Sequence, residues 1–223
     1  TSNYGGTSPP VDMTGVKFIA VVVGAYSNGG VTTAHLTFTD SNSNTYIGRT
    51  IYSVGASWCR IYYCTNPTVG TGMTFTLGGG YPIYATASII GTDDTVTGVG
   101  AQNGAASSGT QTTLATGSAT PATSNSLVIA GFNSLDNGTG TVTVTGGFSI
   151  IEQAPWVSGQ PHEGSYIAAL YTTSTSALNP TFTIPTASTA GLGAAISIFE
   201  LASSGTTLSA SGTGAASFVG AST

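Results

Sequence analysis

Apolar and polar positions alternate along much of the chain. Leu36 and Phe38 interleave with His35, Thr37 and Thr39, and Met73, Phe75 and Leu77 with Thr74 and Thr76. A period of two marks a half-buried antiparallel strand. Short β-branched or aromatic runs bounded by Gly, Asn, Asp and Pro predict a first set of strands near 16–23, 32–39, 45–52, 58–65, 73–77 and 84–90. A second set is predicted near 126–132, 139–144, 148–153, 165–172, 181–184 and 194–201. No stretch joins a helical period to helix caps, so the chain reads as all-β.

The two sets resemble each other. Tyr62-Tyr63-Cys64-Thr65 matches Leu170-Tyr171-Thr172-Thr173, Met73–Leu77 matches Pro180–Ile184, and Ala87–Ile90 matches Ile196–Phe199, at offsets of 107 to 109 positions. A twofold internal strand repeat predicts two Greek keys in one antiparallel, jelly-roll-like β-sandwich. Two separate sandwiches of about 75 residues each would have thin cores. The expected organisation is an N-terminal arm (1–14) and a single sandwich domain (15–201). Its half-repeats span about 16–90 and 126–201. Residues 91–125, poor in apolar side chains, are expected to form a long loop crossing the sandwich end. The Gly/Ser/Ala-rich tail 202–223 still carries Leu208 and Ser217-Phe218-Val219. It reads either as a linker or as a strand that pairs with a neighbouring subunit.

Composition narrows the function. Charged residues make up 5% of 223, against about 25% in ordinary domains. Only Lys17, Arg49 and Arg60 are basic, against eight carboxylates, and the net charge is −5. Nucleic-acid binding needs clustered Lys and Arg, and a peripheral membrane protein needs basic anchors. The longest apolar run, Phe18 to Val23, falls far short of the ~20 residues of a spanning helix. Neither nucleic acid nor membrane insertion is therefore expected. A hydrophobic content of 40% and a mean hydropathy of +0.25 exclude simple disorder. What remains is a folded domain covered by hydroxyls and amides, suited to a subunit buried in an assembly or to an extracellular module. A cytosolic metabolic enzyme is the poorest fit. Beginning at Thr1 without a signal-peptide core, the numbered chain reads as processed, trimmed or a fragment.

An opening strand at Lys17–Val23 is followed by the turn Asp40-Ser41-Asn42-Ser43-Asn44-Thr45 and the paired tyrosines of Ile61-Tyr62-Tyr63. Ala119-Thr120-Pro121-Ala122 then precedes Leu127–Ala130, and Gly147-Phe148 and the closing Gly193–Phe199 complete the order. Over residues 15–201 this pattern resembles the jelly-roll-like β domains of secreted bacterial and bacteriophage structural proteins. The resemblance carries no catalytic signature. It implies a fibre, decoration or adhesion module and assigns no residue a task.

Candidate chemistry is sparse. Cys59 and Cys64 flank four residues inside one predicted strand. At about 3.3 Å per residue their Cα atoms would stand roughly 16 Å apart on opposite faces, beyond the ~7 Å of a disulfide. They read as two small buried side chains, as an intersubunit disulfide, or as a loop disulfide if the chain bends sharply there. The segment 153–164 gathers Trp156, Gln160, His162 and Glu163. Trp156 would stack on a sugar ring while the other three bind its hydroxyls. In the alternative, Trp156 closes one end of the sandwich and His162 is solvated.

Asp40-Ser41-Asn42-Ser43-Asn44 begins like a calcium loop, but Thr45 and Ile51 stand where Gly and Glu are needed. It reads better as an Asx-rich hairpin turn. Asp93-Asp94 alone is weak as a cation site, and no metal or cofactor is expected. Only His35 and His162 offer a histidine base, no nucleophile elbow occurs, and no spacing brings Glu152 and Glu163 to a glycosidase separation. The expected function is a non-enzymatic structural subunit at an extracellular or virion surface, partnered by itself or by other structural subunits. The alternatives are a carbohydrate-binding adhesion module that takes surface glycans, and a filament subunit joined by strand exchange.

Overall fold

Residues 18–23 and 127–130 are apolar at consecutive positions, a pattern too continuous for a strand with one wet face. The computed structural model shows both to be buried on two faces. It describes residues 6–27, 36–55, 57–79, 83–135, 141–154, 163–188, 191–202 and 215–220, and no helix occurs among them. In the first half the strands are β1 (Gly6–Thr7), β2 (Phe18–Ser27), β3 (Leu36–Asp40), β4 (Ile47–Gly48), β5 (Tyr52–Val54), β6 (Ser57–Thr65), β7 (Phe75–Gly79) and β8 (Ile83–Thr92). The second half carries β9 (Val96–Ser107), β10 (Gln111–Ala115), β11 (Ser126–Leu135), β12 (Thr143–Val144), β13 (Ser149–Ala154), β14 (Glu163–Thr172), β15 (Thr181–Ser188) and β16 (Leu192–Leu201). A last strand, β17, spans Ala215–Gly220.

Pairing is antiparallel throughout. Two central sheets run in the orders β17-β8-β2-β6-β4, with β5 also on β6, and β13-β14-β11-β16-β9. Two outer sheets run β1-β7-β3 and β10-β15-β12. The halves therefore share one plan: β8-β2-β6-β5 in the first repeats as β16-β11-β14-β13 in the second.

Three apolar clusters separate the four sheets. Ile19, Val21 and Val23 of β2 pack with Met73, Phe75 and Leu77 under the first outer sheet. Val128, Ala130 and Phe132 of β11 pack with Phe182 and Ile184 under the second. The alternate residues of the same strands, Phe18, Ala20 and Val22 against Leu127 and Ile129, join Ile61, Ile167 and Phe199 in a third cluster between the central sheets. The all-β, antiparallel sandwich architecture is as expected, and the two half-repeats stack within it. Each half forms its own thin sandwich, and the shared third cluster supplies the burial that either half alone would lack. Each fully buried Val, Leu, Ile or Phe side chain contributes on the order of 1.5–3 kcal/mol.

One segment differs from expectation. Residues 91–125 are not a loop, because β9 pairs along β16 from Leu201↔Val96 to Leu192↔Ser107, and β10 pairs with β15. Residues 6–13 of the N-terminal arm are tied to the first outer sheet: β1 pairs with β7, Val11 bridges Met73, and Met13 is wholly buried.

Candidate functional site

Trp156, Gln160 and His162 lie outside the described residues, as does His35. Glu163 opens β14 opposite Leu135, and its side chain is outside the described set. Glu152 lies on β13, where its Oε1 accepts the main-chain N–H of Gln153 at 3.0 Å. Among the described residues no three His, Cys, Asp or Glu side chains cluster as metal ligands.

Cys59 and Cys64 sit on opposite faces of β6. Cys59 belongs to the cluster between the central sheets and Cys64 to the one beneath the first outer sheet. Both are buried thiols, and burial pushes the Cys64 thiol above its usual 9.0. An intersubunit disulfide, one of the three readings of these cysteines, would need a sulfur brought to the surface. Their placement instead fits two small side chains filling core space.

The Asp40 turn is a structural corner. It carries the chain from β3 of the outer sheet to β4 of the central sheet, so it is not the hairpin that was expected. Asp40 Oδ1 accepts the N–H of Asn42 at 2.9 Å and that of Asn44 at 3.1 Å. Its Oδ2 accepts Asn44 Nδ2 at 2.9 Å and the Tyr46 hydroxyl at 2.6 Å. Asn44 Oδ1 accepts the Thr68 N–H at 2.7 Å, and Ser43 takes the left-handed conformation at φ 60°. Burial, reinforced by the Asp40 carboxylate, holds the Tyr46 phenol far above its usual 10.0. Both carboxylate oxygens are engaged by the fold's own donors.

Asp94 is engaged through one oxygen, Oδ2. It accepts hydrogen bonds from the hydroxyls of Thr92 and Tyr171, tying the short β8–β9 link to the end of β14. Burial first, and the Asp94 contact second, raise the Tyr171 phenol well above 10.0. Arg49 donates from Nη2 to Gly100 O at 2.6 Å, and desolvation lowers its pKa. Arg60 donates to Arg49 O at 2.6 Å and lies 4.8 Å from the centre of the Tyr62 ring.

Sequence reasoning missed the sheet edges. The second central sheet ends in β9, which β5 and its neighbours clamp. Besides the Arg49 contact, Gln102 Nε2 donates to Thr50 Oγ1 at 2.7 Å, and Gln102 Oε1 accepts the Thr50 N–H at 3.0 Å. A Cβ on Gly104 would fall 2.2 Å from the Tyr52 ring, so only glycine lets that ring lie flat on the strand. The first central sheet ends in β17, which runs along β8 from Ala215↔Ile90 to Gly220↔Ala85. β8 stacks over β14 as β16 stacks over β6, and β17 meets β13 as β9 meets β5. β17 and β9 thus hold equivalent places about an approximate twofold axis. The signal for β9 was faint, because Val96 and Val99 are its only large apolar residues.

No family model matches the chain, and no curated protein or solved structure matches it. The resemblance to jelly-roll-like structural domains rests on the residues that suggested it.

Proposed function

We propose that the chain is a non-enzymatic structural subunit of an extracellular or virion assembly. The observation that supports this reading is the use of its few charged side chains. Asp40 fixes an inter-sheet corner, Asp94 ties a strand link to Tyr171, and Arg49 and Arg60 hold main-chain carbonyls at a sheet edge. These groups serve four stacked sheets and lie on separate elements. With charged residues only 5% of the chain, copies meet through Thr, Ser and Gly faces that carry few of the charges which ordinarily keep domains apart. The decisive experiment is the native mass by light scattering over a wide concentration range. A defined oligomer or polymer is expected. A 22.0 kDa monomer at every concentration would overturn the reading.

A further inference from the structure

The strand that completes each central sheet does not come from the half-repeat whose sheet it completes. β9 follows β8, the last strand of the first half, yet pairs with β16 of the second half. β17 follows β16, the last strand of the second half, and pairs with β8 of the first. The registers correspond, since Val99 faces Phe199 and Ala215 faces Ile90 at the equivalent position. Thr97-Gly98 precedes Val99 as Thr213-Gly214 precedes Ala215. One rule describes both: the strand after a half-repeat completes the next half-repeat.

The links differ. β8 reaches β9 through three residues, Asp93–Thr95, and that is enough to cross from one central sheet to the far edge of the other. Ala202 is fixed beside this crossing by its N–H to Thr95 O and by Asn125 Nδ2 to its own carbonyl. From Ala202 the same journey to Ala215 has twelve intervening residues, 203–214, built of Ser, Gly, Thr, Ala and one Leu. The chain has far more length here than closure on itself requires. The receiving edge needs covering in any case: Ala85, Thr86, Ala87, Ser88, Ile89 and Ile90 are all buried, and unpaired edge backbone there would invite another strand.

We propose that β17 is an exchange strand. In an assembly, residues 215–220 of one copy complete the first central sheet of a second copy by pairing along its β8 in the register seen here. The closed chain and the exchanged chain make the same strand contacts, so concentration decides between them. Exchange takes over as the copies approach the effective concentration that a twelve-residue link sets for closure, on the order of mM for short linkers in general. This inference rests on the structural-subunit reading and specifies how the subunits join.

Ser88 and Ser217 face each other across the β8–β17 pair, within disulfide range for directly opposed strand residues. Chains of different mass, one carrying Ser88→Cys and the other Ser217→Cys, should form a disulfide heterodimer under oxidising conditions. Its yield should rise with concentration, with the wild-type chain as control for Cys59 and Cys64. A companion chain trimmed of residues 203–223 keeps the receiving β8 edge and loses the strand that fills it; it should stay monomeric where the full chain assembles. Exchange is overturned if no heterodimer forms at any concentration, or if the trimmed chain assembles to the wild-type mass. A wild-type oligomer without the cross-link would remove strand exchange alone, whereas a wild-type monomer throughout would remove the structural reading with it.

Discussion

Gly131 of β11 stands directly against Val22 of β2, and a Cβ on Gly131 would lie 2.8 Å from Val22 Cγ2. The two residues sit at the middle of the contact between the central sheets, where backbone approaches side chain with no space for a methyl group. Val22 has a stiff, β-branched side chain and cannot swing away at little cost. Gly131→Ala should therefore lower stability by about 1–3 kcal/mol, read as a reduced urea midpoint with an unchanged slope. Val22→Ala should open a cavity in the wild type yet relieve the clash in the Gly131→Ala background. The double-mutant cycle should then show a coupling of about 0.5–3 kcal/mol. Additive effects would mean that the sheets do not meet at this pair.

The same contact shows how far the fold was legible in the sequence. The runs through Val22 and Ile129 announced strands, but periodicity could not say that each run faces two different cores. That depends on the stacking of the halves, which no local pattern encodes. β9 escaped notice for a related reason. Its Gly104 leaves no room for a side chain because the Tyr52 ring lies against it, and a Cβ on Gly100 would press on Ile198 at 3.3 Å, so the strand lacks the bulky residues by which strands are recognised. Met13 and Val11 were hidden as isolated apolar residues in a polar stretch. At the candidate sites, the Asx character of the Asp40 segment was readable, whereas its place between two sheets, and the edge role of β17, required the topology.

Met13 tests whether the N-terminal segment belongs to the core. Its side chain is wholly buried in the first cluster, and its N–H donates to Gly70 O at 3.1 Å. Met13→Ala should cost about 2–5 kcal/mol, seen as a lowered melting temperature. A change within about 0.5 kcal/mol, typical of surface positions, would return residues 6–13 to the status of a loose arm.

At the Asp40 corner, four hydrogen bonds converge on one carboxylate. Asp40→Ala strands the Tyr46 hydroxyl, whose ring also packs edge-on against Phe38 at 4.8 Å. Tyr46 is half-buried, so losing the partner of its hydroxyl should cost no more than about 1–3 kcal/mol, the range for a fully buried group. Asp40→Asn keeps the shape and part of the acceptor capacity, so it should fall between wild type and Asp40→Ala in thermal unfolding. An equal loss for both variants would place the importance in the charge alone.

Alkaline pH should lower the stability of this protein. The Cys64 thiol and the phenols of Tyr46, Tyr52 and Tyr171 all have pKa values raised by burial. For an acid whose folded pKa lies above its unfolded value, the unfolded chain ionises first and the native state holds more protons. Stability then falls as pH climbs from the unfolded toward the folded pKa. The loss should begin near the usual thiol value of 9.0 and steepen above the usual phenol value of 10.0. Below about pH 8 these four groups are protonated in both states and contribute no slope. Tyr171→Phe should make the protein less stable at neutral pH by removing the Asp94 contact, yet flatten the decline above pH 10, because one ionisation of the unfolded chain is gone. Urea midpoints measured across this range distinguish the two effects. A Tyr171→Phe variant with the wild-type alkaline slope would mean that this phenol ionises as readily in the folded protein as in the unfolded chain.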